Sequence, residues 1–176
     1  TEPSLVVAQK LLGKVIARRV GKKVIHGIVV ETESYPGPHD RASHAYNGRR
    51  TARTEVEWRE GGYVYIYLVY GMYWQLNITT GKAGYPECVL IRALEVAQNQ
   101  KPYSKNQNHK VKIEKYANGP GKLCNYLRLD KSFYDEDVTT SKRIWLEEGR
   151  HVPPKNIAKG PRVNIDYAGK HYAGRH

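Results

Sequence analysis

The chain has little cysteine, one phenylalanine, one methionine and no long apolar run. Its two cysteines, Cys88 and Cys124, stand far apart with no C-x-x-C partner, which argues against a zinc ribbon or a four-cysteine iron–sulfur cluster. They read as reduced thiols of a cytosolic protein. No stretch approaches the ~20 apolar residues of a transmembrane helix, and no charged-then-apolar leader opens the sequence. The expectation is a soluble, unsecreted protein; Thr1 is not an initiator, so residues are expected before it. Acids are scarce too, 17 against 29 lysines and arginines, for a net charge of +12. Such an excess favours a polyanionic partner.

What the chain does have is tyrosine, 14 residues of it. Tyrosine joins a stacking face to a polar tip, which suits a wet, half-buried site better than a dry core. The length of 176 residues is that of one domain, enough to bury a core without staples. Cations are spread as Lys14, Arg18, Arg19, Lys22 and Lys23, then Arg41, Arg49, Arg50 and Arg53, then a lysine-rich stretch from Lys101 to Lys115. No tail holds them, so they are expected to form a surface of the folded domain.

Leu5, Val6, Ala8, Leu11 and Leu12 fall at helical spacing before Gly13, which predicts a short amphipathic helix over 3–12. Residues 14–20 and 23–32 read as β-branched strands joined at Gly21. If the extended backbone persists, Val29, Glu31, Glu33 and Tyr35 share one face. Residues 35–54 hold two prolines, two glycines and four arginines without a period, so a long functional loop is expected. Tyr63-Val64-Tyr65-Ile66-Tyr67-Leu68 is the strongest strand, with tyrosines on one face; Tyr70-Gly71-Met72 turns it back into 73–80. Residues 87–93 read as a buried strand, 98–108 as a flexible insertion, and 122–127 as a short helix after Asn118-Gly119-Pro120-Gly121. Residues 144–146 and 163–165 read as final short strands.

Tyr70 is badly placed for a core, and a tip aromatic can wedge into a base stack. The tyrosine strand itself reads either as a core face with hydroxyls at its rim or as a platform for bases. Glu33 reads as a strand-end ion-pair partner or as a general base among aromatics. Glu31 invites a paired-carboxylate glycosidase reading, which fails because neighbours on one strand face point in parallel instead of flanking a substrate. His44 lies in the arginine-rich loop. Arg92, inside the apolar Leu90-Ile91-Arg92-Ala93, requires an acceptor such as Glu33 or a phosphate. Gly119-Pro120-Gly121-Lys122 offers backbone N–H groups and a lysine to a phosphate, but Leu123 replaces the Ser or Thr of a P-loop.

Val30-Glu31-Thr32-Glu33-Ser34-Tyr35 with Gly37, Asp40, Ala42 and His44, then Tyr63-Val64-Tyr65, Tyr70-Gly71-Met72-Tyr73, Asn77-Ile78, Val89-Leu90-Ile91-Arg92-Ala93 and Asn118-Gly119-Pro120-Gly121-Lys122-Leu123, resemble the alkyladenine (3-methyladenine) DNA glycosylase family. The blocks occur in the family's order across most of residues 5–165. The resemblance implies that Glu33 is the general base for the attacking water, that Arg92 helps hold that water, and that Tyr35, His44 and Tyr67 sandwich a flipped base. It implies that Tyr70 intercalates and that Asn77 rejects the amino group of normal guanine. Arg49, Arg53, Met72 and Lys122 are the further residues expected on DNA. The family needs no metal or organic cofactor and leaves an abasic site without cutting the strand. Purines alkylated at N3 or N7 are cationic, so an aromatic sandwich attracts them by roughly 0.5–2 kcal/mol.

The expectation is therefore one α+β domain over 1–176, a curved, largely antiparallel sheet flanked by short helices, with a protruding hairpin for the minor groove. Its predicted work is hydrolytic release of alkylated or deaminated purines, the 3-methyladenine, 7-methylguanine, hypoxanthine and ethenoadenine class, from duplex DNA. A monomer is expected, cytoplasmic at the nucleoid in a bacterium or nuclear in a eukaryote. The chain departs from the family in its polar 98–108 segment and in stopping at His176, short of a Trp/Arg/Phe-bearing strand. A noncatalytic base-stacking module would also explain charge and tyrosines, but it leaves Glu33 and Arg92 idle and the sequence lacks the glycine-aromatic RNP pattern. A glycosylase-lyase would need an amine nucleophile.

Overall fold

Pro3 caps the first helix, α1 (Ser4–Leu11), which places Ser4, Ala8 and Leu11 inward at i, i+4 and i+7. The helix stops where Leu12 turns extended and Gly13 takes a left-handed φ of 84°. The computed structural model describes residues 1–96 and 117–169; the insertion expected at 98–108, the lysine-rich stretch and the last residues lie outside them. A tight turn at Gly21 joins β1 (Val15–Val20) to β2 (Lys23–Tyr35), with Val20 opposite Lys23. β3 (Val64–Val69), β4 (Tyr73–Thr79), β5 (Cys88–Glu95) and β6 (Ile144–Glu147) complete one sheet of order β3-β4-β5-β2-β1-β6, antiparallel at every pairing. α2 (Pro120–Leu127) opens on proline at its first position and packs on β4 and β5. The α+β class and the curled antiparallel sheet are as expected.

Alternation divides this sheet chemically. Val64, Ile66, Leu76, Ile78, Val89 and Ile91 join α1 and α2 residues in the main core. Their neighbours in sequence face the other way, where Tyr65 and Cys88 pack with Val56, Tyr35 and Tyr67. The helices thus cover one face, and the polar aromatic face is left to 36–58 and 162–168.

β2 departs from simple alternation. It runs three residues beyond the expected end, and its register against β5 shifts on both sides of Glu31, pairing Val29 with Leu94, Glu31 with Ala93 and Thr32 with Ile91. Such an irregularity re-aims side chains. Thr32 Oγ1 donates to the Ala8 carbonyl at 3.0 Å and Ser34 Oγ to Ser4 Oγ at 2.9 Å, towards α1. Glu31 and Glu33 both reach Arg92, whereas Val29 lies fully buried in the main core. Val29 therefore does not share a face with Glu31 and Glu33, contrary to the alternation read from sequence. The strand expected at 163–165 is also absent: Asn164 is left-handed (φ 59°), a 3₁₀ turn follows at Asp166–Ala168, and the Val163 N–H is spent on Glu33 instead of a ladder.

Gly13 ties α1 into the sheet. Its N–H donates to the Val29 carbonyl at 2.8 Å and its own carbonyl accepts from the Arg150 N–H at 3.0 Å. A Cβ there would meet the Arg150 carbonyl oxygen at 2.2 Å, on a backbone that already excludes ordinary side chains. Gly13→Ala is expected to destabilise the fold by at least about 2 kcal/mol, read as a lowered urea midpoint; an unchanged midpoint would show that this junction yields freely.

Candidate active site

Cross-strand register assembles the site. Tyr65 of β3 faces Asn77 of β4, Asn77 faces Leu90 of β5, and Leu90 faces Glu33 of β2, one row across four strands. Cys88 stands opposite Tyr35 in the adjoining row. The row ends on Glu33, which is 7 % exposed. Three donors converge on its carboxylate: Arg92 Nη1 at 3.2 Å, the Val163 N–H at 2.8 Å and the Tyr35 hydroxyl at 3.0 Å. Arg92 is aimed in turn by the exposed Glu31, 2.9 Å from its Nε. The acceptor required for Arg92 is thus Glu33 together with Glu31. Burial, and then the Glu33 charge, raise the Tyr35 hydroxyl above the ordinary phenol range, so it stays a donor.

A second buried pair fixes this arrangement. Arg162 lies against Asp40, with Nη2 2.9 Å from Oδ1, and both are almost fully buried. Nη1 of the same arginine donates to the Ser34 carbonyl at 3.1 Å, and its guanidinium lies 4.8 Å from the Tyr35 ring centre. Asp40 also accepts from the Ala42 N–H at 3.0 Å, holding the loop that delivers His44.

Tyr35, His44, Tyr65, Tyr67, Asn77, Glu57 and Cys88 surround a pocket of about 40 Å³, which Tyr167 also lines. His44 meets Tyr67 edge-on at 4.7 Å between ring centres. Arg53 Nη2 lies 3.2 Å from His44 Nε2, and Tyr65 Oη lies 2.7 Å from Nδ1. An arginine only donates, so Nε2 accepts and Nδ1–H donates to Tyr65. Burial first, then Arg53 and Arg49, push the His44 pKa down to about 4, so the ring is neutral at physiological pH. Burial raises the Tyr65 and Tyr67 hydroxyls as well. Asn77 is 1 % exposed, and its Nδ2 donates to the Tyr65 carbonyl at 3.0 Å. Glu33 does not line this pocket but is bound to one of its walls through the Tyr35 hydroxyl; with Glu31 and Arg162 it lines a separate groove of about 880 Å³. Among the described residues, no cluster of three or more His, Cys, Asp or Glu side chains is placed to hold a metal ion.

At the end of the β3–β4 hairpin, Tyr70 is 82 % exposed and Met72 62 %. Tyr70 and Gly71 both take positive φ (53° and 68°), and the Met72 N–H donates to the Val69 carbonyl at 3.1 Å, the geometry of a type I′ turn. Gly121 of α2 is where a Cβ would press on the Tyr73 ring at 2.9 Å, so the N-terminus of α2 abuts the hairpin base. Lys122 is exposed there, its Nζ 3.0 Å from Asn118 Oδ1. Arg49 and Arg53 are both exposed, and the Arg53 guanidinium lies over the Tyr67 ring at 4.6 Å.

The model of the methylpurine-DNA glycosylase (MPG) family matches residues 1–175. A protein of Natranaerobius thermophilus named "Putative 3-methyladenine DNA glycosylase" is 41% identical over 163 residues, 92% of this chain and 82% of its own. Proteins of the same name from Desulfitobacterium hafniense (42% over 172 residues, 94% and 84%) and Bacillus cytotoxicus (41% over 183, 98% and 89%) align as fully. This chain belongs to the methylpurine-DNA glycosylase family. It is a DNA glycosylase, a hydrolase of N-glycosidic bonds whose substrate is DNA and whose place is DNA repair. Among the described residues no helix is long and apolar enough to cross a membrane.

The fold of this glycosylase brings Glu33, Arg92, Tyr35, His44, Tyr67 and Asn77 onto one face and sets Tyr70 and Met72 on a projecting tip. Sequence reasoning missed Arg162, the Val163 amide and Glu57. A basic residue in a Gly-Pro-Arg stretch and one amide carry no pattern; a Glu between Val56 and Trp58 was the one available hint.

Two expectations follow from this geometry. Arg162→Met strands a buried carboxylate, and its expected cost is about 3–5 kcal/mol by urea unfolding; a loss under 1 kcal/mol would mean that the clamp is dispensable. His44 must gain a proton on unfolding at mildly acid pH. The stability it contributes is complete above about pH 6.5 and is lost as pH falls towards about 4. In His44→Asn that part of the pH slope should vanish, and an unchanged slope would assign it elsewhere.

Proposed function

We propose that this glycosylase extrudes alkylated or deaminated purines from duplex DNA and releases them by hydrolysis, with Glu33 activating the water. The proposed substrates are the 3-methyladenine, 7-methylguanine, hypoxanthine and ethenoadenine class. The observation that carries this reading is the division between pocket and groove: the aromatic pocket holds no carboxylate of the Glu33–Arg92 group, and Glu33 stands just outside it. A base in the pocket would place its sugar at the mouth, beside Glu33.

In the proposed reaction, Glu33 takes a proton from water as the oxygen attacks the sugar anomeric carbon. The N-glycosidic bond breaks, and its electron pair leaves with the base. A cationic alkylated purine departs neutral and needs no proton, whereas a neutral lesion must be protonated as it leaves. Arg92, the Val163 N–H and Tyr35 fix the carboxylate, and positioning of this kind supplies much of the rate. The negative charge also stabilises the oxocarbenium-like sugar. Tyr35, neutral His44 and Tyr67 would hold the base, with Asn77 excluding the guanine amino group. Tyr70 would fill the vacated stack, Met72 would lie beside it, and Arg49 and Lys122 would meet phosphates.

The pocket has room for about one water, so a purine must displace a wall. The β3, β4 and β5 side chains are fixed in the sheet; Ser43, His44 and Tyr167 come from segments outside it and are the walls to move. A single chain acting as monomer, leaving an abasic site intact, completes the proposal.

Glu33→Gln is expected to keep binding to lesion duplex while base release falls by about 10²–10⁴-fold. Release is read as alkali-labile sites from a 3-methyladenine or hypoxanthine duplex. Undiminished release would remove Glu33 from the chemistry, and a borohydride-trapped protein–DNA adduct would replace hydrolysis by a lyase route.

A further inference from the structure

Glu57 is an acid that neither the clamp nor the Glu33 group uses. It lies in the 3₁₀ turn Glu55–Trp58, which is pinned from outside by the Tyr134 hydroxyl: the Val56 N–H donates to Tyr134 Oη at 3.1 Å, and that hydroxyl donates to the Ala52 carbonyl at 3.0 Å. Val56 and Glu57 are both 1 % exposed. The Glu57 side chain lines the aromatic pocket beside Tyr65, Asn77 and Cys88. Its Oε2 is buried with no hydrogen-bond partner among the described residues. A buried polar atom left unpaired is costly, so a group that enters the pocket and pairs with it gains what the empty fold lacks.

We infer that Glu57 reads the extruded base, its free carboxyl oxygen pairing with the purine inside the pocket and favouring cationic lesions over neutral ones. The inference rests on the glycosylase reading above and adds a specificity-determining residue to it. The pocket surroundings are suited to that role. Cys88 of β5, which lines the same pocket, donates its thiol to Asn77 Oδ1 at 3.9 Å, and burial raises that thiol well above its ordinary range, so it brings no charge. Tyr65 and Tyr67 of β3 remain protonated, His44 is neutral, and the Tyr134 hydroxyl behind the turn is also raised. Arg53 is the cation near the acid, and it is engaged by His44 and the Tyr67 ring. Burial pushes the Glu57 carboxyl up to about 7. Near neutrality it is therefore poised between an acid, which can donate to a neutral base, and a carboxylate, which prefers a cation. Arrival of a cationic purine drives off the proton; a neutral purine does not.

The test compares single-turnover release of 3-methyladenine and of hypoxanthine from matched duplexes, after subtraction of spontaneous loss, from about pH 6 to about pH 8, a window above the ordinary carboxyl range that spans the raised Glu57 carboxyl. Proton transfer to Glu33 affects both lesions alike and cancels in the ratio. In the wild-type chain the ratio of cationic to neutral release is expected to rise about tenfold as pH rises, the difference between a charge-assisted and a neutral hydrogen bond. Glu57→Gln, which keeps shape and hydrogen-bonding capacity without the charge, should give a ratio that lacks this rise, keeping only the shallower slope set by protonation of the departing hypoxanthine, and that is about tenfold lower at the alkaline end. Glu57→Met, matched in length, should do the same and serves if circular dichroism shows the Gln variant unfolded. A flat wild-type ratio, or substituted chains that keep the wild-type slope, would overturn the role of Glu57. A wild-type chain that releases neither base would instead overturn the glycosylase reading itself.

Discussion

The buried pair of Arg162 and Asp40 is the constraint on which the site depends. One guanidinium gathers the Asp40 carboxylate, the Ser34 carbonyl and the Tyr35 ring, and the next residue along sends its amide to Glu33. Three separated parts of the chain, the end of β2, the loop to His44 and 162–168, are thereby set against each other. Buried ion pairs are weak contributors to net stability compared with apolar packing. This one acts through geometry, beside the small apolar cluster in which Ile165 and Ala168 pack with Ala42 and Tyr35.

The sheet keeps two chemistries apart. Its helix-covered face is aliphatic and closed, so the strands cannot slip without exposing that face. The opposite face then has fixed register, and a polar aromatic row can be written across it at strand spacing. The outside of the molecule is strongly basic, with a net charge of +12, yet the pocket lining is nearly uncharged, because burial holds His44 neutral and the tyrosines protonated. The basic charge of the surface and the neutrality of the pocket are therefore supplied by different residues. Arg53 belongs to both, an exposed loop arginine whose charge helps keep His44 deprotonated.

Much of this was legible in the sequence where a side chain announces its own constraint. Arg92 within an apolar strand had to find an acceptor, and tyrosines at every second position had to share a face. Tyr70-Gly71 between two strands had to turn. Residues 163–165 look like a strand because Val and Ile flank Asn164, but the backbone there answers to Glu33 and to a left-handed asparagine, neither of which has a local signature. The register shift around Glu31 was invisible for a similar reason: it depends on how β5 sits opposite, and no periodicity within β2 encodes it. Glu57 has only its place between Val56 and Trp58 to mark it, and its burial is decided by Val56 and Tyr134, the latter 78 residues away from the N–H it receives.

Tyr70 holds a left-handed backbone without being glycine. A bulky residue there is costly by about 1–2 kcal/mol, and its ring touches little of the fold in return, being 82 % exposed. The turn is thus a place where stability and reach oppose each other: glycine or asparagine would make the hairpin sturdier and leave it blunt. Tyrosine at this tip therefore gives up hairpin stability for an aromatic ring held clear of the fold.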